Sequence, residues 1–301
     1  MTILSRVGPQ NRAISKVRAN RRLCRWSLGL RGGLDHRGTT LRLLLLHNKT
    51  VKGGVIMKAL FGLAIVLVMT STALAAGKSV SYEVKGEPFE GCFVSPSPNA
   101  PLVLLVHDWD GLTDYQMKRA NMLADMGYGV FAADLFGAGV RPTELKDKRQ
   151  HTGALYKDRE RMRTLLKGAL DAAKAKGANV DNAVAVGYCF GGAAVLELAR
   201  SGAELKGFVT FHGGLDTPPG QDYSAAKGTL LVLHGTADTS ITMDQFAKLA
   251  NELEEKGVSH EMVTYGGAPH AFTVFGSDRY REDADKKSWK RLAAFLAETL
   301  H

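Results

Sequence analysis

The sequence predicts an α/β fold: a doubly wound, mostly parallel sheet with helices on both faces. Three observations lead there. Apolar runs of strand length recur along the chain, segments of helical spacing separate them, and glycines stop the helices at Gly127, Gly177 and Gly257. In chain order, residues 101–106 read Pro-Leu-Val-Leu-Leu-Val, a run suited to a strand buried on both faces. Residues 114–126 follow as a helix, with Met117, Ala120, Leu123 and Ala124 on one side. Strand 128–133, helix 159–176, strand 182–186, helix 191–200 and strand 207–211 come next. Strand 229–233, helix 242–256, strand 259–265 and a closing helix 284–299 complete the pattern. Residues 136–157, polar and basic, read as one long irregular loop, either a cap over a site or a surface excursion.

The first 75 residues are expected to stand outside this fold. Lys58 followed by the apolar run from Ala59 to Met69 and the small-x-small triplet Ala73-Leu74-Ala75 reads as a secretory signal peptide over 57–75. The run is too short for a membrane span. Residues 1–56 carry 12 Lys or Arg against the single acid Asp35 and read as a basic upstream extension that is untranslated or unfolded, with Met57 the expected start. The expected folded domain is therefore 76–301, in the periplasm or secreted, with no membrane contact once the signal is cut.

Charge and composition narrow the function. The chain is 45% hydrophobic and 23% charged, the profile of a globular protein. Its net charge of +9 lies entirely in the first 75 residues, so the folded body is mildly acidic and no nucleic-acid surface is implied. Three cysteines cannot build a disulfide framework. Cys92, far in sequence from the other body cysteine, is read as a buried free thiol. Its pairing with Cys189 would remove the latter from chemistry.

The ends of the expected strands carry reactive side chains: His107-Asp108-Trp109, Asp134, Cys189, His212, His234 with Asp238, and His270 beyond the last strand. Ligands of open α/β sheets bind at those ends. Gly187-Tyr188-Cys189-Phe190-Gly191-Gly192 fits G-x-S-x-G with cysteine for serine. A nucleophile held on a sharp strand-to-helix turn needs glycine on either side, because side chains there would collide. Asp238 and His270 follow in the order nucleophile, acid, histidine, each just past a strand. The set reads as a catalytic triad. No Lys-Ser/Thr follows the glycines and no G-x-G-x-x-G occurs, so a phosphate loop is disfavoured. His107, His212 and His234 lack metal-ligand spacing and read as hydrogen-bonding posts. No metal and no cofactor are expected.

From about residue 101 to 295 the chain resembles the dienelactone hydrolase family, the cysteine branch of the α/β-hydrolase fold. G-Y-C-F-G-G at 187–192, H-G-T-A-D at 234–238 and G-A-P-H-A-F at 267–272 carry the likeness. The resemblance implies a carboxylesterase-like hydrolase of small esters or lactones, monomeric or a small homo-oligomer. It implies Cys189 as nucleophile, His270 as base and Asp238 as orienting acid. The backbone N–H groups of Phe190 and Trp109 would form the oxyanion hole. Asp108 stands where the family has a glutamate that helps activate the nucleophile, with Asp110 as a competitor for that role. Val274 stands where the family has an arginine that grips a substrate carboxylate, which implies a substrate without that group. The second such arginine would fall around Lys148-Arg149, and Arg279 and Arg281 are read as lying on a solvated face. The alternatives are a thioesterase or acyl transferase with the same triad, or a non-catalytic periplasmic binding protein on this fold.

Overall fold

The computed structural model describes residues 77–300, so the expectations for 1–56 and 57–75 lie outside the described residues. The chain opens with a hairpin, β1 (Lys78–Val84) and β2 (Glu87–Val94), joined by Lys85 and Gly86, both at positive φ. That turn matches the right-handed twist of paired strands. There follow β3 (Pro101–Val106), α1 (Asp114–Asp125), β4 (Gly129–Ala133), α2 (Leu145–Lys157), α3 (Arg159–Ala175) and β5 (Asn179–Tyr188). Then come α4 (Phe190–Arg200), β6 (Gly207–Phe211), β7 (Thr229–Gly235), α5 (Met243–Glu255), β8 (His260–Tyr265) and α6 (Glu282–Thr299).

The strands form one eight-stranded sheet in the order β1-β2-β4-β3-β5-β6-β7-β8. The hairpin joins it antiparallel, through β2 on β4, and all remaining pairs are parallel. This is the expected doubly wound α/β-hydrolase architecture. Each central strand feeds two cores. Leu102, Leu104 and Val106 of β3 pack with α3, α4 and α5 on one face; Val103 and Leu105 pack with α1 and α6 on the other. Strand order reverses at β3: the chain steps outward to β4, then returns to β5 on the other side. The crevice above such a reversal is where this architecture holds ligands.

Two readings need correction. The stretch 136–157 is not all loop, since its second half is α2. Only Thr152 and Leu155 of that helix are buried, so it lacks the apolar stripe by which a helix is recognised. Cys92, buried on β2, is not a free thiol: it is disulfide-bonded. Among the described residues Cys189 is the free cysteine.

Helix α4 is buried along its whole length, Glu197 included. The Glu197 carboxylate meets Arg163 Nε at 2.7 Å, Arg200 Nη2 at 2.8 Å and Arg159 Nη1 at 3.6 Å, clasping α4 to α3. Burial pushes this carboxyl up, but the Arg200 and Arg163 guanidiniums outweigh it and hold Glu197 below the ordinary carboxylate range. Among the described residues no helix is long and apolar enough to cross a membrane.

Candidate active site

Cys189 caps the N-terminus of α4 with φ 51° and ψ −113°, a conformation costly for a residue with a Cβ. Its surroundings enforce the turn. A Cβ at Gly187 would strike the Gly191 carbonyl, and one at Gly191 would strike the carbonyls of Val106 and His107. Backbone therefore touches backbone where β5 turns into α4, and the glycine spacing seen in sequence is a steric requirement. The Cys189 N–H donates to Phe211 O at 3.0 Å, tying the turn to the end of β6. The sulfur stands beside the positive end of a buried helix, a setting that favours an anion.

His270 Nε2 lies 3.1 Å from Cys189 Sγ, and His270 Nδ1 lies 2.7 Å from Asp238 Oδ2. Asp238 is fixed from its other oxygen: Oδ1 accepts the backbone N–H of Ser240 at 2.8 Å and of Ile241 at 2.9 Å. Burial disfavours a charged His270, yet its hydrogen bonds to Asp238 and Cys189 prevail and push the imidazole up to about 10. Burial likewise raises Asp238, but its bond to His270 and the two amides hold it below its ordinary value.

The remaining strand-end histidines are bonded in place. His107 Nδ1 donates to Asp108 O at 2.6 Å and its Nε2 accepts Leu135 N–H at 3.1 Å, so the ring is neutral; burial pushes it down to about 4. His234 Nε2 donates to Ile241 O at 3.1 Å, bracing the Asp238 loop. His212 Nε2 lies 2.8 Å from Thr273 Oγ1. Among the described residues no group of three or more His, Cys, Asp or Glu is arranged to hold a metal ion.

A cleft of about 750 Å³ opens over the sulfur. Asp108, Trp109, Phe190 and His270 line it with Cys189, which brings the sequence-derived residues together. Asp238 stands behind His270. The Phe190 and Trp109 backbone N–H groups donate to no backbone carbonyl among the described residues, so both remain available to a ligand. Asp108 is buried, its Oδ1 accepting Asp110 N–H at 3.0 Å. Burial and the neighbouring Asp110 charge push it up to about 7. Asp110 turns instead to Lys148 of α2, with which it pairs.

Helix α2 supplies a wall of Leu145, Arg149 and Tyr156, of which sequence reasoning named the Lys148-Arg149 segment and missed Leu145 and Tyr156. The Tyr156 ring meets Phe190 edge-on, its centroid 5.5 Å away, and the Arg159 guanidinium lies 4.8 Å from its face. Val274 lines the cleft, and so does Arg279, against the expectation of a purely solvated face; Arg281 bonds the Asp278 and Tyr280 carbonyls at the surface. Two cations thus line the cleft: Arg149, where the resemblance placed the second carboxylate-gripping arginine, and Arg279, at a position that the family pattern did not indicate.

Comparison with known proteins identifies the family. The profile of the dienelactone hydrolase family matches residues 89–300. A solved structure described as a dienelactone hydrolase-like promiscuous phosphotriesterase from metagenomic libraries is 30% identical, with TM-score 0.71, covering 76% of this chain and all of its own. A relative from Saccharolobus solfataricus that carries the provisional name carboxymethylenebutenolidase is 23% identical over 73% of this chain and 97% of its own. Protein usf of Aquifex pyrophilus is 24% identical over 74% of this chain and 99% of its own.

Proposed function

Since the chain belongs to the dienelactone hydrolase family, and so is a hydrolase acting on esters or lactones, we propose that it works through a thioester on Cys189. The observation that carries the proposal is the run of contacts from Cys189 Sγ to His270 Nε2 and from His270 Nδ1 to Asp238, at 3.1 and 2.7 Å. The proton shared by Cys189 and His270 rests on the imidazole, which is pushed up to about 10, and the sulfur attacks the acyl carbon. The Phe190 and Trp109 amides receive the oxyanion. Collapse expels the alkoxide, which takes the proton from His270; in a lactone it stays tethered to the acyl group. Water then gives a proton to His270 and attacks the thioester, the carboxylic acid departs, and the proton remains shared by Cys189 and His270. Asp238 holds Nδ1, so that Nε2 is the nitrogen that carries the proton and passes it on. Asp108, which lines the cleft with Cys189, is the further group we propose to help activate the sulfur.

The cleft supports a small acyl group with an anionic substituent. Trp109, Leu145, Ile241 and Val274 offer apolar walls, and Arg149 and Arg279 offer positive charge at the mouth. A second substrate class, phosphotriesters, enters through the structural neighbour that is 30% identical. We also propose export through residues 57–75, which cell fractionation with an antibody to the folded domain would test.

Burst kinetics with p-nitrophenyl acetate tests the thioester route. The protein should release a stoichiometric burst of p-nitrophenol, and Cys189→Ala should abolish it. Equal rates in the two proteins would remove Cys189 as nucleophile. A panel of lactones and phosphotriesters, with and without a free carboxylate, then tests the role given to Arg149 and Arg279.

A further inference from the structure

Behind the Cys189–His270 pair, between α1 and α6, sits a buried cation. Arg119 is 1% exposed. Its Nη2 donates to Asp285 Oδ1 at 2.5 Å and to the Thr273 carbonyl at 2.8 Å, and its Nε lies 3.4 Å from Tyr115 Oη. The guanidinium also lies 5.8 Å from the ring of Tyr188, the residue preceding the nucleophile. Thr273 comes three residues after His270. One buried group therefore touches both the arm that carries the sulfur and the arm that carries the base.

The bonds around Thr273 form a chain. Arginine only donates, so Tyr115 Oη accepts from Arg119. The Tyr115 hydroxyl lies 2.7 Å from Thr273 Oγ1, which lies 2.8 Å from His212 Nε2. His212 is buried, and its Nδ1 meets no hydrogen-bond partner among the described residues. Burial and the adjacent His270 disfavour a charge there. The His212 ring meets His270 edge-on, with centroids 5.4 Å apart. Two strained residues flank this contact, His212 at φ 40° and Ala271 at φ 61°. Strain of that kind persists only where surrounding bonds over-determine it, and the Thr273 bonds supply that determination.

We propose that Arg119, Tyr115, Thr273 and His212 form a positioning relay that holds the His270 imidazole within hydrogen-bond reach of Cys189. The relay rests on the thioester reading above. Arg119 and Thr273 act through the loop and through His212, not on the substrate.

The test uses the full chain with Thr273→Val, Thr273→Ser and Tyr115→Phe. Each is assayed for kcat and KM on p-nitrophenyl acetate, for the rate of Cys189 alkylation by iodoacetamide, and for thermal midpoint. Thr273→Val should lower kcat by about 10- to 100-fold, the scale of a small misplacement of a reacting group, with KM little changed. Alkylation should slow in parallel, and Thr273→Ser should restore both. Wild-type rates in Thr273→Val, or no rescue by serine, or a loss of kcat without slower alkylation, would each overturn the relay. If Thr273→Val does not fold, Tyr115→Phe decides, since it cuts the link to Arg119 and keeps the ring. A lowered kcat at an unchanged midpoint then upholds the relay, and an unchanged kcat overturns it. Cys189→Ala separates the two ideas: activity retained there defeats the thioester reading, whereas activity lost there with Thr273→Val unimpaired defeats the relay alone.

Discussion

Asp108→Asn should stabilise the protein while slowing it. Burial, reinforced by the charge of Asp110, moves the Asp108 carboxyl from its ordinary 3.8 to about 7. The displacement, at about 1.4 kcal/mol per pH unit, is about 4 kcal/mol. The sign follows from proton counts. Between the two values the folded protein holds a proton that the unfolded chain has released, so stability falls as pH rises. The contribution is intact below 3.8 and is lost as pH climbs through about 7. Asparagine carries no charge and keeps an acceptor for Asp110 N–H. The stability gap between variant and wild type should therefore be about 1 kcal/mol near pH 4.5 and widen by about 3 kcal/mol toward pH 8. Urea unfolding of both proteins at those pH values measures it, because other titrations cancel in the difference. A gap independent of pH, or one that narrows as pH rises, would refute the burial argument. The same variant should release its p-nitrophenol burst more slowly, since asparagine takes no proton.

Other consequences follow from the site and its frame. Tyr156→Phe removes a hydroxyl at the cleft while keeping the ring on Phe190; it should lower kcat/KM by about 10-fold, one lost hydrogen bond to the ligand, with the burst amplitude retained. The His270 imidazole, followed by NMR, should titrate near 10; the stability its pairing contributes is complete below about 6.5 and disappears as pH passes about 10, and a midpoint at or below 6.5 would contradict its hydrogen bonds to Asp238 and Cys189. Glu197→Gln leaves the Arg163 and Arg200 guanidiniums without their carboxylate in a buried setting, and denaturant unfolding should report a loss of about 3–5 kcal/mol.

The proposed triad was legible because each member is bound to a local rule. Steric exclusion at the turn writes glycines around Cys189, and Asp238 and His270 each follow directly on an apolar run. The central strands and α1, α4, α5 and α6 were legible for the same reason, their periodicity being local. Helix α2 was not, since its stability comes from neighbours and it carries no apolar stripe of its own. Arg119 and Thr273 lie 154 positions apart, so their bond has no sequence signature. Arg279 read as solvent-facing because it is exposed, and exposure beside a cleft looks the same in sequence as exposure anywhere.

The slight burial of α2 bears on how this protein could change over time. Thirteen residues with two buried side chains form one wall of the cleft and touch few of the groups that keep the sheet together. Natural drift can rewrite that wall at small thermodynamic cost, whereas the turn at Cys189 admits almost no variation. One wall of the cleft and the frame of the sheet thereby rest largely on separate residues, and a lineage could move from one acyl partner to another by altering a single surface helix. Grafting α2 from a homologue of different preference would be the laboratory version of that step.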